Sequence, residues 1–235
     1  MDFSAFSGPA FWAALLSIIV ANILLSGDNA VVIALASRNL PAHQQKKAIF
    51  WGSAAAIILR VVLTVTAVQL LTLPYLKIIG AILLVYIGVQ LLADSDDEGE
   101  MEGSSNIWGA IRTILVADLV MSLDNVLAVA AAAQKGPEET RLALLIIGLG
   151  LSIPLIIFGS TMLLKVMDRF PIIITLGAGL LGLLAGGMLV EDPAIKESMQ
   201  AAFEDAHMIF EGIGVAIVIL LGSYLKKKNA GKESK

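Results

Sequence analysis

The 235-residue chain contains no cysteine. Disulfides, thiolate metal sites and thiol chemistry are therefore excluded. Histidine is nearly absent too, with only His43 and His207, too few for a multi-histidine zinc or copper centre. Any metal held here must be bound mainly by oxygen, which favours hard ions such as Mn2+, Mg2+ or Ca2+. Charge is sparse: Asp, Glu, Lys and Arg make up 15% of the chain and fall mostly between apolar runs. The first ten residues carry no Lys or Arg, so the basic leader of a cleavable signal peptide is not expected.

What is abundant is apolar. The chain is 57% hydrophobic, with a mean hydropathy of +0.86, against roughly 45–50% apolar residues in a soluble globular chain. This is the composition of an integral membrane protein. A spanning helix needs about 20 mostly apolar residues. Seven stretches qualify, near 11–36, 48–71, 76–92, 107–133, 142–164, 172–190 and 208–225. They are too long for strands and do not alternate at period two. The expected fold is an all-α polytopic membrane protein with seven transmembrane helices in a single domain.

Orientation follows from the basic residues that flank the spans. Arg38, Lys46, Lys47, Lys165, Arg169 and the tail Lys226, Lys227, Lys228, Lys232 and Lys235 share one side when the N-terminus is outside and the C-terminus cytoplasmic. The opposite side keeps Lys77, Lys135, Arg141 and Lys196. Lys226-Lys227-Lys228 reads as a topology anchor near anionic lipid.

One motif occurs twice. Ser26-Gly27-Asp28-Asn29 in the first span overlays Ser122-Leu123-Asp124-Asn125 in the fourth at an offset of 96 residues, and Asn22 overlays Asp118. Gly52 falls opposite Gly148 at the same offset, and Gly80-Ala81 opposite Gly177-Ala178 with a slip of one. Repeat one is expected over about 11–93 and repeat two over about 107–190, joined by an acidic loop at 94–106, with the seventh helix outside the repeat. An odd number of helices per repeat inverts the second copy, a common build for secondary transporters, whose substrate site lies near the midplane.

An ionised carboxylate amid leucine, valine and alanine is expensive, so a membrane acid is a functional candidate by default. Asp28 and Asp124 sit near the centres of their spans, each followed by an Asn whose amide oxygen is a neutral ligand. Gly27 invites a break beside Asp28 that would free backbone carbonyls for a cation, whereas Leu123 predicts a more regular second copy. Asp118 lies six residues before Asp124, about 9 Å along a helix and on another face. It reads as a second station, a proton carrier or a partner for Arg60. Asn22 is either a ligand of lower charge or a packing hydrogen bond. Arg60 is the one basic residue deep in a span, too central to snorkel, and it should pair with an acid. Asp28, Asp118 and Asp124 against Arg60 leave a net charge of −2, which suits one divalent cation or two protons.

Other polar features are weaker. Asp94-Ser95-Asp96-Asp97-Glu98-Gly99 begins like a calcium loop, but position 12 is Ser105 rather than Glu. A solvated loop is expected, with concentration of cytoplasmic cations as the alternative. Glu204, His207 and Glu211 share a helix face at a spacing that can hold a metal, or can equally form a salt-bridged helix end. Gly52/Ala56, Gly148/Ser152 and Gly182/Gly186 read as close helix packing. Pro154 is expected to kink the fifth span.

The doubled Ser-Gly-Asp-Asn and Ser-Leu-Asp-Asn motif, in two three-helix repeats with a seventh helix, resembles the TerC family of the LysE transporter superfamily over nearly the whole chain. The resemblance implies a Mn2+ exporter active in metal homeostasis. The membrane acids essential in that family carry over onto Asp28, Asp124 and Asp118. Some relatives carry Glu where this chain has Asn22.

The combined expectation is a secondary transporter in a bacterial plasma membrane that exports a divalent cation, Mn2+ foremost, by proton exchange. Asp28, Asp124, Asn29, Asn125, Asp118 and Asn22 are the candidate metal ligands, with Arg60 and Asp118 tuning charge and proton flow. The expected partners are the metal ion, protons and the lipid bilayer, without nucleic acid or a prosthetic cofactor; association with a second copy or another membrane protein stays open. Two alternatives compete. A membrane assembly partner would have no need of paired midplane acids. An intramembrane aspartyl protease resembles Gly-x-Gly-Asp, but Leu25 occupies its first glycine position, so an enzyme is not expected.

Overall fold

The computed structural model describes the backbone of residues 8–24, 27–70, 73–93 and 107–233. The side chains of 22–24, 66–70, Asp124, Leu127 and 230–233 are outside that description. Two of the expected ligands, Asn22 and Asp124, and the whole acidic loop 94–106 therefore lie outside the described side chains.

Among the described residues every element is helical. In chain order they are α1 (Pro9–Leu24), α2 (Gly27–Ser37), α3 (Ala42–Leu70), α4 (Leu76–Ala93), α5 (Ile107–Gln134), a short 3-10 turn (Glu138–Thr140), α6 (Arg141–Gly150), α7 (Ser152–Arg169), α8 (Ile172–Val190), α9 (Lys196–Ala202) and α10 (Ala206–Glu233). Five helical stretches are long and apolar enough to cross a bilayer: Ala42–Val65, Leu76–Ala93, Glu138–Arg169, Ile172–Val190 and Ala206–Asn229. A sixth is counted when bent α5 is taken as one span. The expectation of seven differs at the first apolar run, which is divided between the shorter helices α1 and α2.

Local sequence explains the interruptions in part. In the first apolar run the described residues form α1 up to Leu24 and α2 from Gly27, and residues 25–26 between them lie outside the description. The fifth run is interrupted at Leu151, between α6 and α7. Pro154 stands four residues after Gly150 and can neither donate to its carbonyl nor avoid crowding it. The fourth run departs from expectation. Leu123 predicts a regular helix, yet Ile107–Leu123 and Ala128–Gln134 are inclined by 63°. Tertiary packing overrides propensity there: Ala132 and Ala133 are buried, and Gly136 seats the end of this leg tightly against Leu144 and near Ala14.

The helices pack as two groups. In one, α4, α8 and α10 lie together. A methyl at Gly88 would stand 3.1 Å from Val218 and 3.3 Å from Leu181, and one at Gly222 would stand 2.8 Å from Leu92. Between α8 and α10 the backbones themselves meet: Gly186 lies against the Phe210 carbonyl, and Gly182 and Gly214 face each other. The other group gathers α3 and α5 with α2, α7 and the helices around them. Here two contacts repeat. A methyl at Gly52 would stand 2.8 Å from Ile114, and one at Gly148 would stand 2.5 Å from Ile18. Gly148 and Ile114 lie 96 residues after Gly52 and Ile18, the same offset as the doubled motif.

Candidate functional site

The polar interior is built where α2, α3 and α5 meet. Arg60, on the buried face of α3, is 1% exposed. Its Nη2 donates to Asp118 Oδ1 on α5, and its Nε donates to Ser122 Oγ at 3.0 Å. Ser122 Oγ in turn donates to Asp118 Oδ2 at 3.2 Å. Asp118 and Ser122 share a face of α5 because they are four residues apart, so one guanidinium spans both. Thr64 donates to the Arg60 carbonyl at 2.7 Å, one turn along α3. The pair is thus closed on every side that these contacts describe. Buried ion pairs persist only where their remaining hydrogen-bonding capacity is met in this way.

Asp28 stands at the start of α2 and is half-buried. Its Oδ1 accepts the backbone N–H of Asn29 at 2.8 Å, and a carboxylate in a first helical turn is favoured by the helix dipole. Asp28 is carried by α2, which packs against α3 and α5, the helices that carry Arg60 and Asp118. Asn29 is buried behind Asp28, while Asn125 is half-buried on α5, after the position of Asp124. Among the described residues no three His, Asp or Glu side chains converge on a point that could hold a metal ion.

A second polar cluster lies beyond the spans, where α8 ends. Asp192 is 0% exposed. It accepts the backbone N–H groups of Tyr75, Lys77, Ile78 and Ala194 at 3.0, 3.1, 3.2 and 2.8 Å. Burial alone would push its carboxyl up, but these donors hold it below its ordinary 3.8. Tyr75 adopts a left-handed backbone (φ 68°), which turns the chain into α4 beneath that carboxylate. Glu191 takes a hydrogen bond from Lys77 Nζ at 3.0 Å, and this bond chiefly holds its carboxyl below the ordinary 4.5. His207 lies between Glu191 (Nε2, 3.8 Å) and Glu211 (Nδ1, 3.9 Å). The two acids face opposite ring nitrogens, so they do not chelate with it, and Glu204 is exposed. The spacing of Glu204, His207 and Glu211 thus marks a helix end rather than a metal triad. Sequence reasoning missed Asp192 entirely, since the partners that bury it come from residues 75–78, far along the chain.

Comparison with known proteins comes to the same family as the doubled motif. The profile described as "Integral membrane protein TerC family" matches residues 7–230. Among the relatives, "Uncharacterized membrane protein YjbE" of Bacillus subtilis (strain 168) is 41% identical over 213 residues, covering 91% of this chain and 95% of that protein. "Uncharacterized membrane protein YceF" of the same organism is 26% identical, covering 96% and 87%. A "UPF0053 protein" of Buchnera aphidicola subsp. Schizaphis graminum (strain Sg) is 25% identical, covering 95% of this chain but 45% of its own length. No solved structure matches the chain. With a family profile running over nearly its whole length and apolar helices able to span a bilayer, the chain belongs to the TerC family of integral membrane proteins.

Proposed function

We propose that the chain is a secondary transporter that exports a divalent metal cation, Mn2+ foremost, in exchange for protons across a bacterial plasma membrane. One observation carries this reading: Arg60 and Asp118 form a buried ion pair in a largely apolar interior, and a third ionisable side chain, Asp28, stands on α2, which packs against both of their helices. Charges kept inside a membrane mark ion or proton pathways. Asp118 has both oxygens engaged, by Arg60 and by Ser122. Its role here is to balance charge. Asp28 and Asn29 supply the first oxygen ligands, Asp124 and Asn125 the second arm, and Asn22 a neutral oxygen. A carboxylate that holds either a proton or a share of a cation gives exchange without any further group. Mn2+ and outward movement rest on the family resemblance.

The architecture supports the same reading. Counted as one span, α1 and α2 bring the total to seven. The paired contacts Gly52 on Ile114 and Gly148 on Ile18 are what two inverted copies of one unit would make.

The test is Mn2+ flux into liposomes that hold the purified protein, with a set pH gradient. Wild type moves Mn2+, and Asp28→Asn abolishes movement while the protein still inserts. Flux that survived the substitution would refute the assignment of Asp28. A purified protein that neither moves nor binds a divalent ion would leave the assembly-partner alternative.

A further inference from the structure

A serine or threonine buried in an apolar helix has a default partner, the carbonyl one turn back. Ser37, Thr64, Thr140 and Ser152 all use it, and Ser122 donates to Asp118. Among the described residues, two buried hydroxyls do not. Ser53 on α3 and Ser160 on α7 are 1% and 0% exposed, and neither Oγ has a hydrogen-bond partner there. An unpartnered buried hydroxyl costs free energy that the neighbouring carbonyl could have saved. Neither of these two makes that bond.

Their positions agree. At about 1.5 Å per residue, Ser53 lies roughly 16 Å from the start of α3, and Ser160 roughly 14 Å from the end of α7. Asp28 lies roughly 14 Å from the end of α2. All three helix ends are cytoplasmic in the proposed orientation, so the three residues share a depth. Ser53 is on the same face of α3 as Arg60, seven residues earlier. Ser160 follows Gly159, where a methyl would stand 3.6 Å from Ala30, two residues past Asp28. Ser160 also lies 96 residues after Thr64, and Ile156 lies 96 after Arg60. In the first half, an arginine fills the space beside the hydroxyl-bearing turn. In the second, an isoleucine stands there and the buried hydroxyl makes no such bond.

Resting on the transport reading above, we propose that Ser53 and Ser160 line the cytoplasmic half of the route to Asp28. Their hydroxyl oxygens replace part of the hydration shell of a divalent cation beside the carboxylate. Hydroxyl oxygen is a neutral hard ligand, suited to an ion that must also leave.

The absence of cysteine makes the test direct. Ser160→Cys and Ser53→Cys, nearly isosteric changes, each place one thiol in the molecule. Everted vesicles are treated with a small cationic methanethiosulfonate, with and without Mn2+. Phe158→Cys, on the lipid-facing side of α7 at similar depth, is the control. The thiols at 53 and 160 should react while that at 158 does not. Mn2+ should slow their reaction severalfold, and Asp28→Asn should remove the protection. A thiol at 160 as inert as that at 158, or one modified at the same rate with and without Mn2+, overturns the inference. Wild-type Mn2+ flux is measured alongside. Flux with an inert or unprotected position 160 sinks this inference alone; absence of flux sinks the transport reading beneath it.

Discussion

Arg60 and Asp118 are the residues whose energetics can be stated most sharply. Removing one partner of a buried pair strands the other charge, at a cost of about 3–5 kcal/mol, whereas an apolar pair of similar volume is often neutral or stabilising. Arg60→Ala and Asp118→Asn should each lower the thermal midpoint in detergent well below wild type. Arg60→Met combined with Asp118→Leu should recover much of the loss. Single substitutions that left the midpoint unmoved would mean that the pair contributes little. Asp192 gives a second residue-scale prediction. Its carboxyl is held below 3.8 in the fold, so its contribution is fully present above that ordinary value and is lost as pH falls through the lower folded one. Asp192→Asn sets an amide N–H2 against donor groups and should cost about 2–4 kcal/mol at neutral pH. Midpoints followed from neutral to strongly acidic pH should show a smaller acid-induced loss in the variant than in wild type. The contrast between the two sites shows what a sequence can reveal. Arg60 had to find an acid because it is the one base deep in a span. Asp192 draws three of its four donors from residues 75–78, more than a hundred positions away, and no local pattern announces that.

Among the elements, the apolar runs were the most legible. The third and sixth expected spans, 76–92 and 172–190, meet α4 and α8 within a residue, since run length alone marks a helix that must satisfy its own backbone in lipid. The interruption at Leu151 was legible through Pro154, whereas the break expected beside Asp28 falls on residues 25–26, outside the described residues. The 63° bend in α5 was not, because Leu123 carries no helix-breaking signal and the cause lies in what Gly136 packs against. The seventh helix also runs further than its apolar stretch, to Glu233, because Lys226-Lys227-Lys228 are good helix formers. The crossing of α8 and α10 is the contact most exposed to a single methyl. At Gly186 that methyl would meet the Phe210 carbonyl, a backbone atom that cannot turn aside. Gly186→Ala should therefore cost about 1–3 kcal/mol as overpacking. Gly109→Ala, where nothing lies within 4 Å of the added carbon, should be neutral or slightly stabilising. Equal midpoints for the two variants would show that α10 is not clasped to α8 through its glycines.

For the whole molecule, the question is whether the two halves are inverted. Asn39 and Lys135 occupy equivalent places, 96 residues apart, each following its copy of the motif-bearing helix. Both side chains are exposed beyond a helix end. If an odd number of spans separates them, they lie on opposite sides of the membrane; if an even number does, on the same side. The basic residues around Asn39, namely Arg38, Lys46 and Lys47, assign it to the cytoplasm. Asn39→Cys and Lys135→Cys each put a single thiol in a chain that has no other. A membrane-impermeant maleimide applied to intact cells should label position 135 and leave 39 untouched until the membrane is opened. Labelling of both on intact cells would make the halves parallel. The Ser26–Asn29 and Ser122–Asn125 motifs would then run in the same direction, and two carboxylates on parallel helices could not approach one ion from opposite leaflets. The sidedness of two surface residues therefore decides whether the buried acids can act as a pair.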